Sequence, residues 1–434
     1  MKKRTPAYAL WGLALVAVVG VLALSACGGS GVKPAATSKA PTPAAPQSFP
    51  GVTSVADIKL PAQWASKFPE EVQTFEADTQ PLQPVQSYLK IFPFLSTIYA
   101  GSPFAKSYDT PRPHLDALQD AKNSPRISAA SDSVCYACKS SQYTISEQNG
   151  QSLAKVPFAA EVHTVTQGIT CYDCHKNYPG PGSQTASAAN GTYLGAIRTP
   201  FLTAFAKEIK SGQMQPGNAA CGQCHNEYYF DPKTGDATMP PEMTDPFEIY
   251  AYYNKIGYSD FTNPNTGAHM LKAQHPEYDL VASDTSMHAT AGLNCADCHM
   301  EQTSDGKTSH KLTGPLYSAQ IRKTVCLTCH SGTDAQLVAL IKSSLASYMA
   351  QITTDGNALA TFTNNLAAAN KSGKYTAAQL DPIREQERES QWFLDFIMNE
   401  NSKGLHNPTM ATKCLTHSLQ VTQAGEAALA KLPK

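Results

Sequence analysis

Paired cysteines constrain this 434-residue chain more than any other feature of its sequence. Ten of its 12 cysteines fall into five Cys-x-x-Cys pairs, and four of the pairs are followed directly by histidine. Cysteines three residues apart on a short helical turn share a face, so both can form thioethers to one haem while the next residue reaches the iron. Zinc ribbons and disulfides also use paired cysteines, but neither requires that histidine. The motifs, which predict c-type haem, are Cys135-Tyr-Ala-Cys138-Lys139, Cys171-Tyr-Asp-Cys174-His175, Cys221-Gly-Gln-Cys224-His225, Cys295-Ala-Asp-Cys298-His299 and Cys326-Leu-Thr-Cys329-His330.

The first motif departs from this pattern, because Lys139 stands where histidine is expected. A lysine amine binds iron only when it is deprotonated, so a site that uses it has to be buried and specially arranged. One interpretation is that this haem has a different role from the other four. The alternative is that Cys135 and Cys138 form a disulfide and that Lys139 is a surface residue.

Eight histidines outside the motifs are candidates for the second axial position of each iron. Five fully ligated haems need ten axial ligands, and the motifs supply five, so the remaining histidines suffice to saturate every iron. Counting therefore leaves open both a pure electron-transfer cytochrome and an enzyme with one open iron. The candidates are His114, His163, His269, His275, His288, His310, His406 and His417.

The amino-terminal residues read as an export signal. A positive segment at residues 2–4 precedes an apolar run at 9–24, and Leu24-Ser25-Ala26-Cys27 follows. This sequence resembles the lipobox of bacterial lipoproteins, in which cleavage leaves Cys27 lipidated. The alternative is a transmembrane anchor, although the run is short for a bilayer. Either way we expect an exported protein, lipid-anchored at the outer face of the cytoplasmic membrane or in the periplasm.

The rest of the chain divides by composition and periodicity. Residues 1–26 form the predicted signal peptide, and 27–51, rich in Gly, Pro, Ala, Ser and Thr, a flexible tether. We expect a pentahaem region at 52–332 and a helical region at 333–434. The fold class is mainly α, with short helices and loops wrapped around five haems and long C-terminal helices. Lys and Arg number 34 against 35 Asp and Glu, so no nucleic-acid partner is predicted.

Three long helices are predicted after the last motif. The second starts with Asp381 as N-cap and stops at Gly404, and the third runs from about Thr409 to Leu432. The first carries an apolar stripe at helical spacing, formed by Leu337, Ile341, Leu345, Tyr348 and Ile352.

Four segments between residue 94 and His417 carry a family resemblance. They are Ala100-Gly101-Ser102-Pro103-Phe104 leading to His114, the Cys-x-x-Cys-Lys motif, the run CGQCHNEYYF at 221–230, and the run MLKAQHPEY at 270–278. Together they resemble cytochrome c nitrite reductase, the pentahaem enzyme that forms ammonia. The chain departs from that family in its predicted lipid anchor, in the unpaired Cys414 and in the short C-terminus after His417.

The resemblance implies a role for each matching residue. The Lys139-ligated haem would be the catalytic one, with an open distal face bordered by Arg126, Tyr228 and His275. The calcium ligands would be Glu227, Tyr228, Lys272 and Gln274. The distal ligands would be His310 for the Cys171 haem, His114 for the Cys221 haem, His406 for the Cys295 haem and His288 for the Cys326 haem. His163, His269 and His417 match no ligand of the family.

The activity implied is the six-electron reduction of nitrite to ammonium, with four bis-histidine haems relaying electrons. Nitrite is an anion that must take up many protons, so its pocket needs positive charge and proton donors. Arg126 offers a permanent cation, and we expect His275 to titrate near neutral pH. The alternatives are a multihaem electron carrier without its own substrate and a related hydroxylamine or sulfite reductase. A membrane-bound quinol-oxidising multihaem cytochrome is the expected electron donor, and the C-terminal helices are expected to form a homodimer.

Overall fold

Before residue 334, the described part of the chain consists of short helices joined by loops. The computed structural model describes residues 54–79, 85–129, 131–149, 151–175, 216–241, 244–303 and 306–433. Its α-helices there are Pro69–Glu76 (α1), Tyr88–Ile91 (α2), Leu95–Ile98 (α3), Ala117–Asn123 (α4), Ser141–Gln148 (α5), Phe158–Glu161 (α6), Cys171–Cys174 (α7), Pro216–Gly222 (α8), Pro246–Ile256 (α9), Glu277–Ala282 (α10), Met287–Thr290 (α11), Cys295–His299 (α12) and Ala319–Thr324 (α13).

Among the same described residues, short 3-10 helices and two small sheets accompany these α-helices. Each sheet is one antiparallel pair: Tyr229–Phe230 (β1) with Ala237–Thr238 (β2), and Phe261–Thr262 (β3) with His269–Met270 (β4). The 3-10 helices are Val55–Asp57, Pro61–Trp64, Ala77–Thr79, Pro103–Ala105, His114–Asp116, Ser133–Cys138 and Cys326–Thr328.

Capping boxes fold two of the cysteine motifs into helical turns. In α12 the Asn294 side chain accepts the N–H of Ala296 at 2.9 Å, and the Asp297 carboxylate accepts the N–H of Asn294 at 2.8 Å. In α7, Asp173 accepts the N–H of Thr170 at 2.8 Å in the same way. The aspartate between the two cysteines therefore starts the turn that brings both sulfur atoms to one face.

Three long helices follow: Asp334–Ser372 (α14), Ala377–Asn399 (α15) and Pro408–Ala430 (α16). The predicted bounds of α15, Asp381 to Gly404, are wrong. A capping box begins this helix earlier, because the N–H of Thr376 donates to Oε1 of Gln379 at 2.9 Å. The proline that suggested the later start lies inside the helix.

The largest apolar core lies where the three long helices pack against α3 and α9. Two helical glycines permit close packing: Gly356 of α14 lies against the Phe94 ring and Gly425 of α16 against the Phe362 ring, so a Cβ at either position would clash. Among the described residues, no helix combines the length and apolar character that crossing a bilayer requires. The predicted signal peptide and the whole tether, including Cys27, lie outside the described residues. The domain boundaries and the homodimer stay predictions.

Candidate haem and substrate site

All five cysteine pairs line one continuous cavity of about 2570 Å³. None of the eleven cysteines in the described ranges is joined in a disulfide, including Cys135 and Cys138. Each pair therefore offers two thiols that can form thioethers. The residues present thus fit a set of covalently attached haems better than they fit disulfide cross-links.

Eight histidines lie in four facing pairs within this cavity. A metal–imidazole bond of about 2.0–2.1 Å, with about 1.1 Å from nitrogen to ring centre, places two rings on opposite sides of one metal about 6.3 Å apart. The observed separations of the ring centroids match this value. They are 6.1 Å for His114 and His225, 6.1 Å for His175 and His310, 6.4 Å for His288 and His330, and 6.1 Å for His299 and His406.

These pairs coincide with the axial assignments that the family resemblance implied. Each combines the histidine of one motif with the distal histidine expected for it. His163, His269 and His417 do not line the cavity. His417 instead donates from Nε2 to Oε1 of Glu389 at 2.8 Å, and Nδ1 of His269 lies 3.1 Å from Oγ1 of Thr262.

The lysine motif lies in the same cavity as the expected substrate-pocket residues Arg126, Tyr228 and His275. Lys139 follows the 3-10 helix Ser133–Cys138, and its N–H donates to the carbonyl of Tyr136 at 2.9 Å. The structure therefore brings one cation, one phenol and one imidazole to the cavity that holds the lysine motif.

Arg126 is fixed by aromatic faces. Its guanidinium carbon lies 4.6 Å from the ring centroid of Phe104 and 5.7 Å from that of Tyr108. Its Nη1 also donates to the carbonyl of Ser107 at 3.3 Å. Phe104 belongs to the segment AGSPF that contributed to the resemblance, so this segment positions the cation.

The expectation that His275 titrates near neutral pH is wrong. Burial lowers the pKa of His275 to about 3; Glu277 opposes the shift, while His225 and Lys139 add to it. The ring is therefore neutral at pH 7, and it acts as a hydrogen-bonding group rather than a standing cation. Its buried Nδ1 atom has no hydrogen-bond partner among the described residues.

The four residues expected to bind calcium lie together. Glu227 accepts the N–H of Gln274 at 2.7 Å on Oε2 and the hydroxyl of Tyr253 at 2.9 Å on Oε1. The Gln274 side-chain amide contacts the carbonyl oxygen of Lys272 at 3.0 Å. Carboxylate, amide and carbonyl oxygens are the ligands that Ca²⁺ prefers, so this donor set fits the ion.

Two further carboxylates surround Glu227 and were not expected from the sequence. Burial raises the pKa of Glu227 well above its usual value, and the charges of Asp279 and Asp260 raise it further. Asp279 also accepts the backbone N–H of Glu227 at 2.7 Å. Asp279 directly follows the run MLKAQHPEY and could have been noticed, whereas nothing local marks Asp260.

The ammonium of Lys272 has a different environment from its carbonyl. Its Nζ lies 3.7 Å from Oδ2 of Asp395, donates to the carbonyl of Ala273, and sits over the rings of Tyr99 and Tyr108. Burial lowers the pKa of Lys272, while Asp395 opposes that shift. The side chain therefore serves a buried ion pair, and only the backbone of Lys272 is directed to the calcium candidate.

Four side chains of α15, three or four residues apart, hold the extended segment that leads to Gln274 and His275. They bind backbone atoms of alternate residues of that segment, as a neighbouring strand would. This arrangement fixes the segment that carries the calcium and pocket residues. The bonds are Arg388 to the carbonyl of His269 at 2.7 Å, Gln391 to the carbonyl of Leu271 at 3.0 Å, the N–H of Ala273 to Asp395 at 2.9 Å, and Asn399 to the carbonyl of Ala273 at 2.8 Å.

Sequence reasoning also missed two buried glutamates that lie beside histidines of the facing pairs. Oε2 of Glu277 lies 3.6 Å from Nδ1 of His225, and these two residues with His275 place one ligand atom each within 4.8 Å of one another. Burial would raise the pKa of Glu277, but His225 holds it well below its usual value. Glu400 lies beside His406. Glu277 belongs to the MLKAQHPEY run, but no motif marks Glu400.

The cytochrome c552 family matches residues 60–433. A cytochrome c-552 of Parabacteroides distasonis is 27% identical over 400 residues, covering 85% of this chain and 76% of its own length. The cytochrome c nitrite reductase subunit NrfA of Nitratidesulfovibrio vulgaris is 29% identical over 377 residues, covering 78% of this chain and 68% of its own.

Among solved structures, the catalytic subunit of cytochrome c nitrite reductase from Desulfovibrio desulfuricans is similar, with a TM-score of 0.70 and 23% identity. It covers 85% of this chain and 86% of its own, and it is described as having two calcium sites. These matches confirm the mainly helical multihaem fold class and the family resemblance that the motifs predicted. The chain belongs to the cytochrome c552 family, whose cofactor is covalently bound haem c.

Proposed function

We propose that this protein catalyses the six-electron reduction of nitrite to ammonium at a haem held by Cys135, Cys138 and Lys139. Four further haems, each between two histidines, relay electrons to it. One observation carries the proposal: four motifs have a facing histidine about 6 Å from their own, while the lysine motif shares its cavity with Arg126, Tyr228 and His275. The nitrite reductase named among the relatives supports the substrate.

Cys135, Cys138 and Lys139 would hold a haem that, when bound, would offer an iron position for nitrite and pass on the electrons relayed from the donor. Arg126 gives the pocket a permanent positive charge that attracts the anion and opposes the negative charge added with each electron. Burial raises the pKa of Tyr228 well above its usual value, so its hydroxyl stays protonated. It can therefore donate a hydrogen bond to a substrate oxygen. The neutral His275 ring carries one N–H donor and one acceptor, which suits it to pass protons between water and the leaving oxygen.

Calcium completes the site in this proposal. The carboxylate of Glu227, the amide of Gln274 and the carbonyls of Tyr228 and Lys272 would hold it. Hard oxygen donors favour a divalent cation here. The repulsion of Glu227 by Asp279 and Asp260, which adds to the effect of burial in raising the pKa of Glu227, favours it as well. The ion would fix the backbone on either side of Tyr228 and His275, and so the positions of both proton donors.

The cellular arrangement is also a proposal. Export with lipidation at Cys27 would place the enzyme at the periplasmic face of the cytoplasmic membrane. There a membrane-bound quinol-oxidising multihaem cytochrome could donate electrons. The long helices α14, α15 and α16 would form the homodimer interface.

Purified holoprotein tests the function directly. Its mass should exceed the polypeptide mass by five haems, and nitrite should be converted to ammonium by a reduced electron donor. His275→Asn should lower the nitrite rate by about 10²-fold, the size expected when a positioned proton donor is lost. Its effect on hydroxylamine, which has already lost one oxygen, should be smaller.

His163→Asn is the matched control, because this exposed histidine does not line the cavity. It should leave both rates unchanged. A holoprotein that accepts electrons but forms no ammonium would instead be the electron-carrier alternative. Four covalent haems, with Cys135 and Cys138 unmodified, would remove the proposed catalytic centre.

A further inference from the structure

The turn between α15 and α16 folds around one buried carboxylate. Glu400, the residue after Asn399, is 0% exposed. Its Oε2 accepts the N–H of Ser402 at 2.8 Å, and its Oε1 accepts the hydroxyl of Ser402 at 2.8 Å and the N–H of Gly404. Gly404 adopts φ +107°, which a side chain would rarely allow. The turn is therefore built to surround this group.

His406 supplies the fourth hydrogen-bond donor to the carboxylate of Glu400. The Nδ1 atom of His406 lies 2.8 Å from Oε2 of Glu400, and the N–H of His406 donates to Oγ of Ser402 at 2.8 Å. Only the carboxylate form of a glutamate accepts from four donors at once. Nδ1 of His406 is thus the protonated nitrogen, and Nε2 is the nitrogen left to bind a metal.

His406 is one of the paired cavity histidines, with its ring centroid 6.1 Å from that of His299. A carboxylate that accepts the free N–H of an axial histidine increases the basicity of the other ring nitrogen. A more basic ligand stabilises the oxidised iron more than the reduced iron. The buried negative charge of the carboxylate acts in the same direction, because the oxidised centre is the more positive of the two.

Another axial histidine shows the contrast. Nδ1 of His310 lies 3.0 Å from the carbonyl oxygen of Thr308, which is a neutral acceptor. His310 faces His175 at the same 6.1 Å separation. The two centres therefore have the same pair of ligands and different acceptors behind the distal one.

We propose that Glu400 is a positioning residue that lowers the reduction potential of the haem attached at Cys295 and Cys298. Through His406 it makes this haem a lower-potential centre than the one held between His175 and His310. The inference rests on the axial ligation in the proposed function, but it does not require that nitrite be the substrate.

Glu400→Gln in the holoprotein tests this inference. Glutamine keeps the size and one acceptor oxygen but removes the charge. We expect the reduction equilibrium of one low-spin haem to shift toward the reduced form by about tenfold, the lower end for loss of an outer-shell partner, which is 59 mV for one electron. A redox titration followed by electron paramagnetic resonance resolves the separate haems. The shifted signal should be the one that His406→Ala abolishes.

Glu389→Gln is the matched control. Glu389 makes the same kind of bond, 2.8 Å to Nε2 of His417, outside the cavity. It should leave every potential unchanged. The inference is overturned if Glu400→Gln retains all haems with unchanged potentials, or if both variants shift the potentials equally.

Ser402→Ala provides a second variant if Glu400→Gln fails to bind its haems. It removes a donor from the carboxylate but keeps the charge, so Glu400 should accept more strongly from His406 and the same potential should fall. No change or a rise would contradict the inference. Ammonium formation by the wild-type holoprotein is measured separately. If the wild type forms no ammonium but the variants show the predicted potential shifts, the proposed function is overturned and this inference stands.

Discussion

Replacing Asp395 with asparagine should destabilise the segment that carries the calcium and pocket residues. The ammonium of Lys272 is 3% exposed and the carboxylate of Asp395 is 0% exposed, at a separation of 3.7 Å. Removing one partner of a buried ion pair costs about 3–5 kcal/mol, because the other charge stays in a medium of low polarity. Asparagine can still bond Tyr99 and the N–H of Ala273, so we expect the lower end, about 3 kcal/mol.

A second substitution separates the interaction energy of Lys272 and Asp395 from the other effects of each single change. Lys272→Met in the Asp395→Asn background removes the stranded charge, keeps a similar volume and leaves the Lys272 backbone carbonyl in place. Replacing both members of a buried pair is often nearly neutral. The double variant should therefore lie closer to the wild type than either single variant, with a coupling of at least about 2 kcal/mol.

Hydrogen exchange of a peptide covering residues 269–275 is the suitable assay. A chain with covalent haems and several packing units need not unfold in one step, whereas exchange reports the local opening free energy. Glu70→Gln is the control, since Glu70 pairs at 2.9 Å with Lys307, which is 45% exposed. It should change protection in its own region by about 1 kcal/mol or less. Additive effects of Asp395→Asn and Lys272→Met would refute the reasoning.

Three further predictions concern the calcium site, a buried acid and the anchor. Glu227→Gln should lower calcium affinity by at least about tenfold, as loss of a charged ligand does. It should also lower nitrite turnover while the bis-histidine haem spectra persist; full activity in metal-stripped protein would contradict it. Burial raises the pKa of Glu387 from 4.5 to about 7. The folded state then holds a proton that the unfolded state releases, so stability should fall by up to about 3 kcal/mol as pH rises from 4.5 to 7. Glu387→Gln should remove that slope in denaturation curves. Cys27→Ser should release the protein from membranes into the soluble fraction, and a soluble wild type would argue against lipidation.

The cysteine motifs allowed more of the structure to be predicted than the sequence signals for helix ends did. Four Cys-x-x-Cys-His sequences have one chemical explanation, so the fold class and the family could be inferred, and both are confirmed. The start of α15 could not be inferred as easily. A proline at 382 and a capping box at Thr376 are both start signals, and choosing between them depends on packing that the local sequence does not record.

Long-range contacts explain the remaining differences. The neutral ring of His275 results from burial, which depends on residues distant in the chain. Asn399 bonds the carbonyl of Ala273 across 126 positions of sequence, and Glu400 bonds a histidine that the motifs could only name as a candidate. The sequence shows which residue types are present, whereas these effects depend on which side chains the fold brings together.

The distribution of apolar clusters gives the cofactors a structural role beside the chemical one. The large core joins the long helices to α3 and α9 and includes part of the chain before residue 334. By contrast, the described residues next to Cys138 and Cys171 lie in small separate clusters, such as the one around Tyr136 and Phe158. Short helices such as α7 and α12 cannot be stable alone. In the proposed arrangement, each would become stable when its two cysteines and its histidine bind the same haem, so we expect the haems to act as the core around these motifs. The helical bundle has its own core, and through Asp395 and Asn399 it fixes the strand-like segment on which the substrate pocket depends.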